Sequence, residues 1–387
     1  MRKFGIKKIS RRKFCQTCLL SGAGLLISPL LLNLLKESAE AAEEKGGPGF
    51  VNSHEAMFYE KLDQRTIQCH LCPRNCLLKN GMRGICRARE PRDGKHYSLV
   101  YGNPTAVHID PIEKKPLFHF LPATTAFSIA TAGCNFRCKY CQNWQISQFP
   151  PEETQNQYLP PEATVEAARK YRCPTIAYTY TEPSIFYEYM LDTAKIAQKY
   201  GIRNIYHSNG SLNRKPVEEL ALYLDGANID LKGFTQEFYS KISEGDLETV
   251  LNTIKTLKKN LVHVEITNLM VPSFNDDLQT VRKMCQWVRD EVGRDTPLHF
   301  SRFHPSYKLK NLSPTPIKTL EEARKIAMKE GLRYVYIGNV PGHVGENTYC
   351  PTDGKLLIRR LGYRILENNI VNGKCKFCAT EIAGVWR

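Results

Sequence analysis

The chain has 387 residues, a formal net charge of +15 and 14 cysteines. This length allows one large domain with small additions and a substantial buried core. The basic residues form no run interleaved with aromatic side chains, so the sequence argues against a nucleic-acid partner. About a third of the excess charge lies in residues 1–45, which hold nine Lys or Arg against four Asp or Glu.

Residues 1–42 have the three-part organisation of an export signal. A basic start contains Arg11 and Arg12, residues 19–35 are mostly apolar, and residues 39–41 form an A-x-A cleavage-like site. The paired arginines resemble a twin-arginine signal. Small and polar residues dilute the apolar run, so we expect membrane contact only through this leader. The expected location is the periplasm or the outer face of the cytoplasmic membrane; a cytoplasmic protein with a degenerate leader is the alternative.

A cysteine-rich region is expected over residues 66–120, after a linker over 43–65 with a short helix at 54–63. Its cysteines are Cys69, Cys72, Cys76 and Cys86. Cysteines separated by two residues are poor disulfide partners, but both thiolates can turn towards one metal site. The spacing therefore favours metal over disulfides. Zinc and an auxiliary iron–sulfur cluster both remain open.

Three more cysteines, Cys134, Cys138 and Cys141, follow an apolar strand-like run at 126–132. Three thiolates on one loop can hold three corners of a 4Fe–4S cube, and the fourth iron stays open to bind and cleave a ligand. Tyr140 offers a face on which a flat base could stack. A zinc loop is the alternative, but no fourth ligand stands at knuckle spacing.

Residues 121–345 alternate between strand-like and helix-like segments. The predicted strands are 126–132, 175–180, 204–208, 227–231, 262–269, 298–303 and 334–337. The predicted helices include 161–171, 185–200, 216–223, 277–291 and 320–329. This alternation predicts an α/β fold with parallel strands, either a partial-to-full (β/α) TIM-type barrel or an open sheet. In a barrel, the chemistry lies at the carboxyl ends of the strands.

A second small cysteine-rich extension is expected over residues 346–387. Cys350 and Asp353 are separated by a hairpin-like stretch from Cys375 and Cys378, which is zinc-ribbon spacing. Asp353 takes the place of a cysteine, and a carboxylate can ligate zinc. Either Asp353 is the fourth ligand or the ribbon has lost its metal.

The C-x3-C-x2-C spacing, with an aromatic residue before the third cysteine, resembles the radical S-adenosylmethionine (SAM) superfamily. This resemblance implies an enzyme with a 4Fe–4S cluster on Cys134, Cys138 and Cys141, whose open iron binds SAM. Reductive cleavage of SAM then gives a 5′-deoxyadenosyl radical that abstracts hydrogen from a substrate. An electron donor of the flavodoxin or ferredoxin type is also implied. The sequence identifies no catalytic residue beyond the cluster.

Four strand ends are similar to segments of glycyl-radical-enzyme activases such as the pyruvate formate-lyase activating enzyme. They read YTEP at 180–183, HSNG at 207–210, IDLK at 229–232 and RFHP at 302–305. The similarity implies that SAM is contacted by Tyr140, Glu182, Asn209, Asp230, Lys232 and His304.

Two departures and two simpler interpretations accompany these segments. Tyr180 and Thr181 replace two glycines of the activase pattern, and His207 takes the place of an aspartate. Asp230 and Lys232 are two residues apart on a strand, so they face the same side and could form a structural ion pair. His304, before a proline, could simply cap a loop.

A broader resemblance covers residues 69–387. The four-cysteine opening, EKKPLFHFLP at 113–122, YIGNVPG at 336–342 and the terminal knuckles look like the radical SAM enzyme of the AmmeMemoRadiSam system. It implies Memo-like and AMMECR1-like partners, while the leader and Asp353 depart from its usual pattern. The substrate is unidentified, and a partner protein is one candidate. The alternative function is a multi-cluster electron-transfer or metal-carrier protein.

Overall fold

The computed structural model describes residues 46–387, and the expected leader over residues 1–42 lies outside the described residues. Its main element is an eight-stranded sheet. The strands are β1 (Ala106–Pro111), β2 (Thr125–Ala130), β3 (Thr175–Tyr178), β4 (Arg203–Ser208), β5 (Gly226–Asp230), β6 (His263–Met270), β7 (Leu298–Arg302) and β8 (Val335–Gly338). Their order in the sheet is their order in the chain. Strands β2 to β8 are parallel, and β1 pairs antiparallel with β2.

Long helices connect the parallel strands. They are α1 (Pro161–Lys170), α2 (Tyr187–Lys199), α3 (Arg214–Ala221), α4 (Leu247–Lys259), α5 (Leu278–Trp287) and α6 (Ile317–Lys329). One helix lies between each parallel strand and the next, because parallel neighbours require a long crossover. The predicted α/β fold is therefore confirmed, in its partial-barrel form. Among the described strands, the two edges formed by β1 and β8 are not paired with each other.

Two elements of this layer were absent from the sequence expectations. Buried and exposed residues do not alternate along strand β1, where His108 and Ile109 are both exposed. Its sequence pattern therefore gives little indication of a strand. Helix α4 buries Val250, Ile254 and Leu257 at helical spacing. That spacing was available in the sequence and could have identified the helix.

Short elements make up the rest of the described chain. Amino-terminal and inserted strands are Gly46–Pro48, His54–Glu55, Tyr59–Lys61, Thr66–Cys69, Leu77–Lys79, Arg89–Arg92, Lys95–Ser98 and Gln155–Gln157. Carboxyl-terminal strands are Thr348–Tyr349, Leu356–Leu361, Arg364–Asn368, Ile370–Val371 and Lys374–Cys375. Short helical turns are Ile112–Lys114, Trp144–Ser147, Pro151–Glu153, Pro183–Phe186, Gln236–Phe238, Tyr239–Ser243, Val288–Val292 and Val344–Glu346.

The helix expected over residues 54–63 is wrong. His54–Glu55 pairs with the strand Lys95–Ser98, and Tyr59–Lys61 pairs with Thr66–Cys69. Between the two short strands, Phe58 has a φ of 55°, a left-handed conformation that a right-handed helix cannot contain.

A buried ion pair joins the cysteine-rich region to the barrel. Arg89 donates to both carboxylate oxygens of Glu188 on α2, at 3.0 and 2.5 Å, and each side chain is 2% exposed. The Arg89 Nε also donates to the carbonyl of Ile185 at 3.1 Å. Removal of either partner would leave a buried charge, so this pair fixes the region against α2.

The segment between β1 and β2 covers the amino end of the sheet. Near the start of β6, Glu265 accepts from the backbone N–H of His119 at 2.7 Å and contacts the rings of His263 and His299 at 3.1 and 2.6 Å. Burial alone would raise the pKa of Glu265, but the two histidines lower it well below its usual range. Phe120 lies against Gly226 at the start of β5. This end of the sheet is therefore filled by packed side chains.

No helix in the described part, residues 46–387, has both the length and the apolar character needed to cross a membrane.

We expect Glu265→Ala to lower the free energy of unfolding by about 3 kcal/mol, because three donors lose a buried charged acceptor. Glu367→Ala is the matched control: it also removes a strand glutamate, but from an exposed pair with Arg359, and it should cost less than about 1 kcal/mol. Urea unfolding measures both. The carboxylate stabilises the fold above its unfolded pKa of about 4.3, so the Glu265→Ala difference should shrink as the pH falls below that value. Equal effects of the two variants would contradict this account.

Candidate functional site

The loop with Cys134, Cys138 and Cys141 follows β2, at the carboxyl edge of the parallel strands. Backbone hydrogen bonds hold it from two sides. Arg137 and Lys139 donate to the carbonyls of Ser243 and Ile242, at 2.9 and 3.0 Å, in the turn after β5. The Lys139 carbonyl accepts from the N–H of Lys308, after β7, at 2.9 Å. The loop is thus fixed by segments that leave the same edge of the sheet.

The three thiols do not converge closely enough to share one zinc ion. The sulfur atoms of these three cysteines do not all lie within 4.8 Å of one another. Another group of cysteines within residues 46–387 does have its ligand atoms that close together. Thiolates that share one zinc ion lie about 3.8 Å apart, as follows from a Zn–S bond of about 2.3 Å. A four-iron cube places each thiolate on a different iron and needs a wider set. Burial raises the pKa of Cys138 to about 11, although Lys232 opposes this, so deprotonation of this thiol would accompany metal binding.

Gly133, just before the first of these cysteines, is required by its surroundings. Its φ is +95°, and a Cβ at this position would lie 2.4 Å from the carbonyl oxygen of Cys86. Only glycine combines this conformation with so close an approach. The cysteine-rich region therefore packs directly on the start of the cluster loop.

Glu182, after β3, is buried in a network of donors. Its Oε1 accepts from the N–H and hydroxyl of Ser184, at 3.0 and 2.6 Å, and from the hydroxyl of Ser208 at 2.7 Å. Its Oε2 accepts from the backbone N–H of Asn209 at 2.8 Å. A carboxylate oxygen can accept more than one hydrogen bond, so Oε2 has room for a further donor.

Tyr180 has a φ of 62° at the position where the activase pattern has a glycine. Its carbonyl accepts from the side-chain amide of Asn143 at 2.6 Å. Its hydroxyl donates to Asp110, and the Lys115 ammonium lies 4.3 Å from the centre of its ring. These contacts hold a left-handed conformation that costs a non-glycine residue about 1–3 kcal/mol.

Asp230 and Lys232, at the end of β5, form an ion pair. The Lys232 ammonium lies 2.9 Å from the Asp230 carboxylate, and His207 Nε2 lies 3.5 Å from the other oxygen. Burial alone would raise the pKa of Asp230, but Lys232 and His207 hold it well below its usual range. Lys232 also lies 6.0 Å from the centre of the Tyr140 ring. The pair connects the ends of β4 and β5 to the cluster loop.

The structure also shows where the other candidate residues lie. Asn209 is buried, and its side-chain amide donates to Asn135 at 2.9 Å and lies 3.9 Å from Cys134 Sγ. Tyr140 is only 4% exposed, so its ring faces packed residues such as Phe238 more than open space. His304 is exposed, just after β7. The sequence reasoning missed the supporting residues Ser184 and Ser208, although the latter lies inside the HSNG segment.

The two small cysteine groups differ in geometry. Cys350, Asp353, Cys375 and Cys378 have ligand atoms that all lie within 4.8 Å of one another. This group could hold one metal ion with Asp353 as its fourth ligand. Cys69, Cys72, Cys76 and Cys86 instead line a cavity, and no such convergence of three ligand atoms is found among them in the described chain.

Comparison with known proteins found a matching family and several similar proteins. Residues 128–288 match the radical SAM superfamily. An uncharacterised protein of Methanocaldococcus jannaschii is 52% identical over 330 residues, which are 85% of this chain and 98% of that protein. The pyruvate formate-lyase 1-activating enzyme of Escherichia coli strain K12 is 23% identical over 230 residues, 53% of this chain and 89% of that enzyme. A solved radical SAM methyltransferase from Sphaerobacter thermophilus has a TM-score of 0.45 at 12% identity, covering 80% of this chain and 84% of the other.

Gly133→Ala should lower the free energy of unfolding by about 3 kcal/mol, because it adds a backbone clash to the strain of a positive φ. The matched control is Gly201→Ala: Gly201 has a φ of +68°, but a Cβ there would meet nothing within 4 Å. It should cost about 1 kcal/mol, the strain alone. Urea unfolding of the two variants measures the difference, and a Gly133→Ala protein no less stable than Gly201→Ala would contradict the close approach to Cys86.

Proposed function

The chain belongs to the radical SAM superfamily, and from this premise we propose that it is an enzyme that binds a 4Fe–4S cluster and SAM. The supporting observation is the loop with Cys134, Cys138 and Cys141, which backbone hydrogen bonds hold at the carboxyl edge of the sheet. Polar groups from the ends of β3, β4, β5 and β7 surround this edge. When bound, the reduced cluster supplies the electron that cleaves the sulfonium of SAM and so starts hydrogen abstraction from a substrate.

The surrounding residues bind and orient SAM in this proposal. Glu182 Oε2, which has one protein donor, accepts from the SAM amino group. At the end of β5, the Asp230 carboxylate binds the ribose hydroxyls of SAM, and the Lys232 ammonium binds the carboxylate of SAM. His304 is exposed just after β7, and the buried ring of Tyr140 lies beside Lys232. Asn209 contacts the cluster-binding loop, because its side-chain amide lies near Cys134 Sγ.

We propose a partner protein as the substrate, as for the activases that the chain resembles. The support is the similarity to pyruvate formate-lyase activating enzyme, whose name states a protein target. Such an activase abstracts hydrogen from a glycine of its partner. An electron donor of the flavodoxin or ferredoxin type is part of this proposal. The AmmeMemoRadiSam resemblance further suggests Memo-like and AMMECR1-like proteins as partners.

We assign a structural role to the carboxyl-terminal group. The Sγ atoms of Cys350 and Cys378 lie 3.5 Å apart, and Cys375 Sγ lies 4.0 Å from an oxygen of Asp353. These separations suit one tetrahedral ion with thiolate and carboxylate ligands, which zinc accepts. The group ties the hairpin formed by Leu356–Leu361 and Arg364–Asn368 to the last residues of the chain.

Cys138→Ala should abolish 5′-deoxyadenosine formation, because one iron of the cube loses its thiolate. Asp230→Asn and Lys232→Ala should keep the cluster absorbance but weaken SAM binding by about 1–3 kcal/mol each. The measurements are deoxyadenosine yield after anaerobic reconstitution with dithionite and SAM, and a SAM-binding titration. Lys241→Ala is the control: it removes an ammonium from the neighbouring turn, where Lys241 forms an exposed pair with Glu237, and it should change neither. Normal deoxyadenosine formation by Cys138→Ala would falsify the proposed function.

We also propose export by the twin-arginine route. The support is the sequence of residues 1–42 alone. Replacement of both Arg11 and Arg12 by lysine keeps the charge but removes the recognised pair, so the protein should remain in the cytoplasm. Cell fractionation measures its location, with a cytoplasmic marker protein as the control. A wild-type protein found only in the cytoplasm would end this proposal.

A further inference from the structure

We propose that Cys69, Cys72, Cys76 and Cys86 hold an auxiliary 4Fe–4S cluster that passes electrons to the cluster on the SAM loop. This inference rests on the proposed function for its electron acceptor, but the occupancy of the site does not. The sequence left zinc and an iron–sulfur cluster equally open at these cysteines. The geometry of the described chain separates them.

The four cysteines surround one cavity. Its lining also includes Leu71, Leu78 and Ile185, and all four cysteines are free thiols. Apolar walls of this kind keep water from a metal centre and influence its potential. The cavity lies between the strand Thr66–Cys69 and the barrel, so it is enclosed by two packed layers.

The spacing of the sulfurs argues against a single ion. Zinc would draw its four thiolates to about 3.8 Å from one another. In the carboxyl-terminal group, all ligand atoms lie within 4.8 Å of one another. In the described residues, no three sulfur atoms of Cys69, Cys72, Cys76 and Cys86 lie that close together. A cube spreads its thiolates over four irons and fills the space between them. The two cysteine groups of this protein therefore suit two different kinds of metal centre.

A buried histidine provides an independent indication of a missing ligand. His96 is 0% exposed and lines the cavity. Its ring lies near a backbone group of Glu90 and has no other hydrogen-bond partner among residues 46–387. A buried polar group without a partner is costly, so such a group normally has one. The sulfur atoms of a cluster in the cavity would accept from the imidazole N–H. Arg89, which also lines the cavity, brings a buried positive charge towards the negative thiolates.

The cavity lies beside the SAM loop. Asn135 lines the cavity and directly follows Cys134 in the chain. Its Oδ1 accepts from the Asn209 amide that lies near Cys134 Sγ, and its carbonyl accepts from Arg74 Nε at 3.2 Å. The Cys86 carbonyl lies against Gly133, as described above. No intervening layer separates the two cysteine groups at these contacts.

The proposed step is the transfer of one electron, with no bond made or broken. A low-potential donor of the flavodoxin or ferredoxin type is oxidised by one electron, and the auxiliary cluster is reduced from its 2+ to its 1+ core. The auxiliary cluster then returns to 2+ as it reduces the SAM-loop cluster by the same electron.

The test uses the full chain, reconstituted anaerobically with iron and sulfide and analysed for iron, sulfide and zinc. In the variant Cys134→Ala/Cys138→Ala/Cys141→Ala, we expect about four irons and four sulfides to remain. After reduction of this variant, the electron paramagnetic resonance (EPR) signal of the remaining cluster should not change when SAM is added. In Cys72→Ala/Cys76→Ala, the iron content should fall to about half of the wild-type value, and the remaining signal should respond to SAM. Zinc should stay at about one per chain in both, because the carboxyl-terminal group is intact.

The control is Cys173→Ala/Cys285→Ala, which removes two buried thiols outside these groups and should keep the full iron content. Iron loss to near zero in the triple variant, or a second zinc there, overturns the proposal. This result does not depend on the folding of Cys72→Ala/Cys76→Ala. If the triple variant keeps its cluster while the wild type forms no deoxyadenosine, the proposed function fails and the auxiliary site stands.

Electron transfer is tested by a change of reductant. With dithionite, which can reduce the SAM loop directly, Cys72→Ala/Cys76→Ala should cleave SAM at close to the wild-type rate. With reduced flavodoxin, its rate should fall at least about tenfold, which corresponds to a barrier about 1.4 kcal/mol higher. Equal wild-type and variant rates with flavodoxin would overturn the transfer step.

Discussion

The buried carboxylate of Glu182 is the interaction on which the candidate site depends. A carboxyl group that is 1% exposed needs protein donors to replace the water it has lost. Those donors come from two strand ends: Ser184 after β3, and Ser208 and Asn209 at the end of β4. Asn209 then reaches Asn135 and the first cysteine of the loop. One buried charge therefore fixes the relative positions of two strand ends and the metal-binding loop.

The position of this network follows from the parallel sheet. All strands from β2 to β8 end at one edge, so residues far apart in sequence meet there without long connections. The opposite edge is filled by the segment that carries His119 and Phe120, and by the histidines around Glu265. One edge is closed by packed groups, and the proposed cofactor site is at the other.

The sequence was sufficient for the fold class and for most of the parallel strands and helices. Alternation of apolar strands and amphipathic helices is a local signal, and it identified β2 to β8 to within a few residues. Strand β1 was missed because it runs along an edge with exposed side chains, so its pattern is weak. The short strands before Cys69 were misread as a helix because very short sheets depend on partners distant in sequence.

The candidate site was predictable only in part, for a similar physical reason. Cysteine spacing and strand-end position mark the residues that carry chemistry, and these are local. The residues that hold them, such as Ser184 and Gly133, act through contacts across the fold: a hydroxyl on a carboxylate, and a missing Cβ opposite Cys86. Spacing alone also cannot tell whether four thiols converge on a point or line a cavity, because that depends on how the flanking strands pack.

The two terminal cysteine groups illustrate how packing decides metal chemistry. The carboxyl-terminal group sits beside a small hairpin, and its turns bring three thiols and Asp353 together within 4.8 Å. The amino-terminal group is wedged between a three-stranded sheet and the barrel, where Arg89 and Glu188 fix the separation of the two layers. The cavity of this group is lined by apolar side chains as well as by the four cysteines. The contact of the cavity wall with Gly133 and Asn135 places this cavity beside the loop where SAM chemistry is proposed.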